Sequence, residues 1–144
     1  AFNYWKSQFM PELTDDAIKV LVEAFEAIPS PMCQIVIEHL HGAATRVPVD
    51  ATACTLRSPG FNVLVLGQWM DPSLTDRSIR WCRDTFAALK PFLGTLRYVN
   101  YLDADESGDP AAAAYGPNYA RLRAIKRGYD PENVFHVNVN IKPA

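Results

Sequence analysis

The stretch YGPNYARLRAIKRGYDPENVFHVNVNIKP, residues 115–143, decides how this chain is read. Pro117 suits the first turn of a helix, and Tyr119, Leu122 and Ile125 then recur at helical spacing while the basic residues between them stay wet. Gly128 is the expected stop, and DPEN, with Pro131 presetting one backbone angle, the expected turn. After it, Phe135, Val137, Val139 and Ile141 alternate with His136, Asn138 and Asn140, the pattern of a short strand with one polar face. Asn is a poor strand former, so two of them on one face point to specific hydrogen bonds rather than to solvent.

Upstream, AFNYWKSQFM reads as a strand, and Thr14 caps a helix over 15–28 with acidic residues at its positive end. MCQIVIEHL is a strand followed by a bend at Gly42. ATACTLR and FNVLVLGQW read as two strands joined by SPG, a second helix covers 73–89, and TLRYVNYL is a further strand. DADESGDPAAAA, small and acidic, reads as a surface loop. The sum is an α+β fold: an antiparallel sheet covered on one face by helices, closed by a helix–turn–strand segment.

Composition narrows the function classes. With 144 residues, 49% hydrophobic, the chain has the size of one domain with a real core. A net charge of −2 gives no footprint for nucleic acid or an anionic membrane. No apolar run is long enough to span a bilayer, and no basic-then-apolar leader precedes the domain. Cys33, Cys54 and Cys82 are odd in number, lack CxxC spacing and sit in apolar runs, which reads as buried free thiols in a reducing cytoplasm. The chain starts at Ala1, already inside a strand, as a piece of a longer protein would.

Candidate chemistry is sparse. GxGxxG, GxxxxGK[ST], HExxH and GxSxG are all missing. His39 and His41 share a strand face, but with Glu38 as the nearest further candidate they lack a third ligand at useful spacing, so no metal site is expected. Gln34 and Glu38 share the other face, where Glu38 is either a surface charge or a pocket carboxylate able to act as a base. In RYVNYLD, Tyr98 and Asn100 face one way and Tyr101 the other. Either the tyrosines pack, or a bend brings both into one cavity, where a phenol can take a proton.

These residues carry a resemblance. Tyr115, Gly116, Asn118, Arg121, Leu122, Lys126, Tyr129, Asp130, Pro131, Asn133, Phe135, Ile141 and Pro143 fit the signature of the berberine-bridge-type C-terminal segment of FAD-linked oxidases in the vanillyl-alcohol-oxidase superfamily. RYVNYLD, VPVDATACTLR and LGQWMDP resemble segments of the same family, while His41-Gly42 stands where relatives carry Gly-Gly. The resemblance implies that residues 1–96 are part of a substrate-binding domain and 97–144 the berberine-bridge-type segment, with the FAD-binding domain outside this chain. It implies Tyr101 as the base and Tyr98 as a substrate-side catalytic contact, Gln34 and Glu38 as substrate-binding residues, and Asn138, Asn140 and Asn100 as contacts to FAD. The expected function is oxidation of a CH–OH or CH–NH carbon by hydride transfer to flavin, with oxygen as acceptor. The expected partners are the FAD-binding domain, a small-molecule substrate and, as a homodimer, a second copy of the chain. The rival expectation is a non-catalytic α+β module that binds a small ligand or oligomerises.

Overall fold

The run GFNVLVLGQW has almost no polar alternation, so it suits a strand covered on both faces. In the computed structural model, which describes residues 1–103, 105 and 108–144, it is the central strand. Strand β1 is Phe2–Met10, β2 is Gln34–Leu40 and β3 is Gly60–Trp69. The order is β1-β3-β2, antiparallel throughout, with Ser7 opposite Leu64 and Glu38 opposite Asn62.

Helices α1 (Asp15–Glu26) and α2 (Thr75–Leu89) cover one face. Thr14 caps α1 by accepting the Ala17 N–H at 3.2 Å, as its sequence predicts. The core between helices and sheet is Met10, Ala17, Leu21, Cys33, Val63, Val65, Trp81, Cys82 and Leu89, and Trp81 Nε1 ties the two helices by donating to the Ala24 carbonyl at 2.8 Å. Gly67 is where α2 comes closest: a Cβ there would sit 2.9 Å from Cys82 Sγ and 3.3 Å from the Ser78 carbonyl. Burial pushes the Cys82 thiol up to about 12, so it is an inert part of the core. The α+β architecture expected from the sequence is therefore present.

Three strands expected from pattern do not form, for one shared reason: their backbone groups are taken by side chains or turns instead of a ladder. In 51–57, Asn118 Nδ2 takes the carbonyl of Thr52 (3.0 Å) along with that of Val49 just before it (2.7 Å), and the Ala51 and Arg57 amides close turns onto Pro48 and Thr55. In 95–102, only 94–96 runs along the outer edge of β1, through Phe9 N–H to Leu96 O (3.3 Å) and Gly94 N–H to Phe9 O (2.8 Å). Val99–Tyr101 is a 3₁₀ turn. Segment 135–141 is pinned at both ends: the Asp130 carboxylate accepts the Val134 (2.8 Å) and Phe135 (3.0 Å) amides, Lys126 takes the Phe135 carbonyl, and Arg123 binds the carbonyls of Lys142 and Pro143 just beyond. The tail is a strap held by the helix before it.

Two further expectations change. Ala-rich 110–115 is helix α3 (Pro110–Tyr115), capped by Asp109 and burying Ala111 and Ala114, because alanine is the best helix former whatever its burial value. Of the loop expected there, Ala104, Glu106 and Ser107 lie outside the described residues. Helix α4 (Tyr119–Tyr129) runs through Gly128 and ends where the Asp130 N–H bonds the Lys126 carbonyl at 2.7 Å. Cys33 and Cys82 are buried thiols, but Cys54 is exposed, since its loop never joins the sheet. Among the described residues no helix is long and apolar enough to cross a membrane.

Candidate active site on the uncovered sheet face

Side chains of a strand alternate between faces, so the residues of β1, β2 and β3 that do not meet the helices share the other side. There they form one polar chain. Ser7 Oγ donates to Asn62 Oδ1 at 3.3 Å, Asn62 Nδ2 donates to Glu38 Oε2 at 2.6 Å, and Tyr101 Oη donates to Glu38 Oε1 at 3.0 Å. It runs from buried Ser7 and Asn62 on two adjacent strands to half-buried Glu38 and Tyr101.

The 3₁₀ turn supplies the bend that a shared position of the two tyrosines requires. Tyr98 and Tyr101 meet edge to face, with centroids 5.0 Å apart and planes at 85°. Trp5 Nε1 holds the turn by donating to the Tyr101 carbonyl at 3.1 Å. Just beyond it, Lys6 pairs with Asp103 (2.9 Å) and Asp105 (3.3 Å), and Arg83 and Tyr4 also bond Asp105. Tyr4's hydroxyl, against the cost of desolvation and with help from Arg83 and Lys6, holds Asp105 down to about 2. The segment carrying Tyr101 is thus nailed to β1 from both sides.

The Glu38 hydrogen bond is the largest cause raising the Tyr101 pKa above its ordinary 10, with desolvation, the Glu38 charge and Tyr98 adding to it. Tyr101 is therefore a protonated phenol at neutral pH. Its hydrogen is committed to a carboxylate, which leaves its oxygen lone pairs free to accept a hydrogen bond from another group.

The other named residues divide. Asn100 Nδ2 donates to Tyr98 Oη at 2.7 Å, so its amide serves the tyrosine pair. Gln34 is exposed, on the same face of β2 as Glu38. Asn138 and Asn140 do not share a strand face; Asn138 is exposed with φ of 64°, and Asn140 Oδ1 is buried with no hydrogen-bond partner among the described residues. Both line an open cleft of about 490 Å³ with Leu102, Asp109 and Tyr119, beginning one residue past Tyr101. The His39 and His41 rings lie 4.4 Å apart, tilted by 35°, and among the described residues no three His, Cys, Asp or Glu side chains converge to hold a metal. Sequence reading missed Ser7, Trp5 and Asn62. A lone amide inside the apolar run FNVLVL was the available signal for Asn62.

The motif residues of 115–135 prove to be scaffold: Asn118, Arg121, Lys126 and Asp130 staple two excursions of the chain to α4. A model of the family described as "Berberine and berberine like" matches residues 97–142. The chain is 33% identical over 132 residues to YgaK, an uncharacterised FAD-linked oxidoreductase of Bacillus subtilis (strain 168), covering 91% of this chain and 29% of that one. It is 29% identical over 119 residues to the aclacinomycin-N/aclacinomycin-A oxidase of Streptomyces galilaeus, covering 71% of this chain and 22% of the relative. Among solved structures, its fold matches the glycopeptide hexose oxidase DBV29 complexed with teicoplanin with a TM-score of 0.81 at 23% identity, over 98% of this chain and 32% of that one. BBE-like 1 of Physcomitrella patens matches at 0.80 and 20% identity, over 99% and 31%. The chain thus spans about a third or less of the proteins it matches. Residues 97–142 are thus a berberine-bridge-type segment, and the chain as a whole is similar to part of FAD-linked oxidoreductases.

Proposed function

We propose that this chain forms the substrate-side wall of an FAD-dependent oxidoreductase and carries its proton-accepting pair, Tyr101 and Glu38. The substrate is a small molecule oxidised at a CH–OH or CH–NH carbon, with oxygen as the electron acceptor. The observation that carries this reading is the 3.0 Å hydrogen bond from Tyr101 to Glu38 on the sheet face opposite α1 and α2.

Bound FAD supplies the acceptor for a hydride from the substrate carbon. The chain's residues fit one edge of such a group: the unpartnered Asn140 Oδ1 and the exposed Asn138 amide offer both donors and acceptors in the cleft that Leu102 and Asp109 also line. As the C–H bond breaks, the substrate O–H or N–H proton moves to Tyr101 Oη, and the phenol's own proton passes to Glu38 Oε1. A stored phenolate is disfavoured by the neighbouring carboxylate, so the tyrosine acts as a relay and Glu38 as the final acceptor. Tyr98, packed on Tyr101, and Gln34, along the same strand face, contact the substrate.

Residues 1–96 then belong to the substrate-binding part and 97–144 to the segment that meets the FAD-binding domain. The exposed apolar patch Tyr129, Val134, Phe135 and Val137 supports such a partner, as does the greater length of the relatives. A second copy seated on that patch would instead give a dimer in sedimentation of the 144-residue chain.

The test is anaerobic flavin reduction in the FAD-loaded full-length protein. Tyr101→Phe should slow it by ~10²-fold or more. Reduction at close to the original rate would remove Tyr101 from the mechanism.

A further inference from the structure

Glu38 has two carboxylate oxygens, and the proton path needs only one. Oε1 takes the Tyr101 hydrogen; Oε2 is held at 2.6 Å by Asn62. Asn62 is 1% exposed, lies on the central strand and stands directly opposite Glu38 in register. It shares its face of β3 with Leu64, inside the otherwise apolar run FNVLVL, so a buried amide there stands out and its hydrogen bonds are what hold it. Its amide oxygen is fixed in turn by Ser7, itself buried, so the Nδ2 end faces Glu38 and the Oδ1 end faces away. Glu has three rotatable bonds and Glu38 is only half-buried, so without that anchor its carboxylate is free to turn toward water.

We propose that Asn62, oriented by Ser7, is a positioning residue that holds the Glu38 carboxylate against Tyr101. This rests on the reading of Tyr101 and Glu38 as the proton-accepting pair. Asn62 touches no reacting atom; it acts through Glu38.

The consequence is readable without cofactor or substrate, in the ionisation of the Tyr101 phenol. The titratable groups facing that phenol are Glu38 and Tyr98, and Trp5 meets only its backbone carbonyl. The experiment labels the tyrosine ring carbon bearing the hydroxyl with ¹³C in the 144-residue chain. Tyr101 is then titrated by NMR in the original protein and in Glu38→Gln, Asn62→Leu, Asn62→Ala and Ser7→Ala. Glu38→Gln removes the carboxylate and sets the reference fall in the Tyr101 pKa. Asn62→Leu should lower it in the same direction, because the unanchored carboxylate turns away. Asn62→Ala, which also lacks a donor and adds no bulk, should do so as well, which keeps the test open if the leucine variant fails to fold. Ser7→Ala should give a smaller fall. Folded Asn62 variants in which Tyr101 titrates as in the original protein overturn the proposal. The positioning role and the reaction fail separately. If the Asn62 variants shift Tyr101 but Tyr101→Phe reduces flavin normally, the anchor stands and the proton-relay reading falls.

Discussion

Replacing Asn118 with alanine tests whether the signature residues of α4 are scaffold. Asn118 is 6% exposed, and its Nδ2 closes the 49–52 excursion through two hydrogen bonds of 2.7 and 3.0 Å. Each such bond is worth about 1 kcal/mol net, and the two freed carbonyls belong to exposed residues that water can reach, so the loss is about 2 kcal/mol. For a domain of this size that lowers Tm by about 6 °C. Asn118→Asp keeps the volume but cannot donate, so a matching drop identifies the hydrogen bonds, rather than packing, as the cause. The melt is followed by circular dichroism and the locality by amide exchange, where the Ala51 N–H, bonded to the Pro48 carbonyl at 3.1 Å, should lose protection first. A Tm drop below about 2 °C in both variants would refute the scaffold assignment.

Gly67→Ala puts a methyl group 2.9 Å from Cys82 Sγ and should cost about 1–3 kcal/mol by overpacking. Because the clash is with that sulfur, Gly67→Ala with Cys82→Ala should cost less than the sum of the singles in urea melts; simple additivity would place the strain elsewhere. Acid should loosen the clamp over the Tyr101 segment. Asp105 is held to about 2 against an ordinary 3.8, and Lys126, against partial burial and with the amides of Val134 and Phe135, lowers Asp130. Both are depressed in the folded state, so their stabilisation is full above pH 4 and is lost as pH falls toward 2. Asp105→Asn should flatten that loss in urea midpoints measured from pH 5 to 2, and a curve parallel to the original protein's would exclude Asp105.

What was legible in the sequence follows from where backbone groups find partners. β1, α1, β2, β3 and α2 carry periodic apolar residues that pack on one another, so pattern alone locates them. ATACTLR, TLRYVNYL and FHVNVNI have strand-like alternation too, but Asn118, Lys126 and Asp130 claim backbone groups of the first and last and a tight turn takes up the second, which no local pattern reveals. In the site, Tyr98, Tyr101 and Glu38 were visible through the resemblance, and the bend that joins the two rings was foreseen as a requirement. Asn62 was hidden because its importance lies in register: only the pairing of β3 with β2 sets it opposite Glu38. Ser7 likewise acquires meaning from a partner 55 residues away.

The strand order β1-β3-β2 also constrains how this molecule comes into being. Neither flanking strand has a ladder partner until β3 is available, so Phe2–Met10 has no strand to pair with until a segment about fifty residues later slots in between β1 and β2. The contacts from Trp5 and Lys6 to the Tyr101 turn span more than ninety residues and can follow only after that insertion. The Tyr101–Glu38 hydrogen bond is therefore among the last features to assemble, and a partly folded chain does not yet hold these two side chains together.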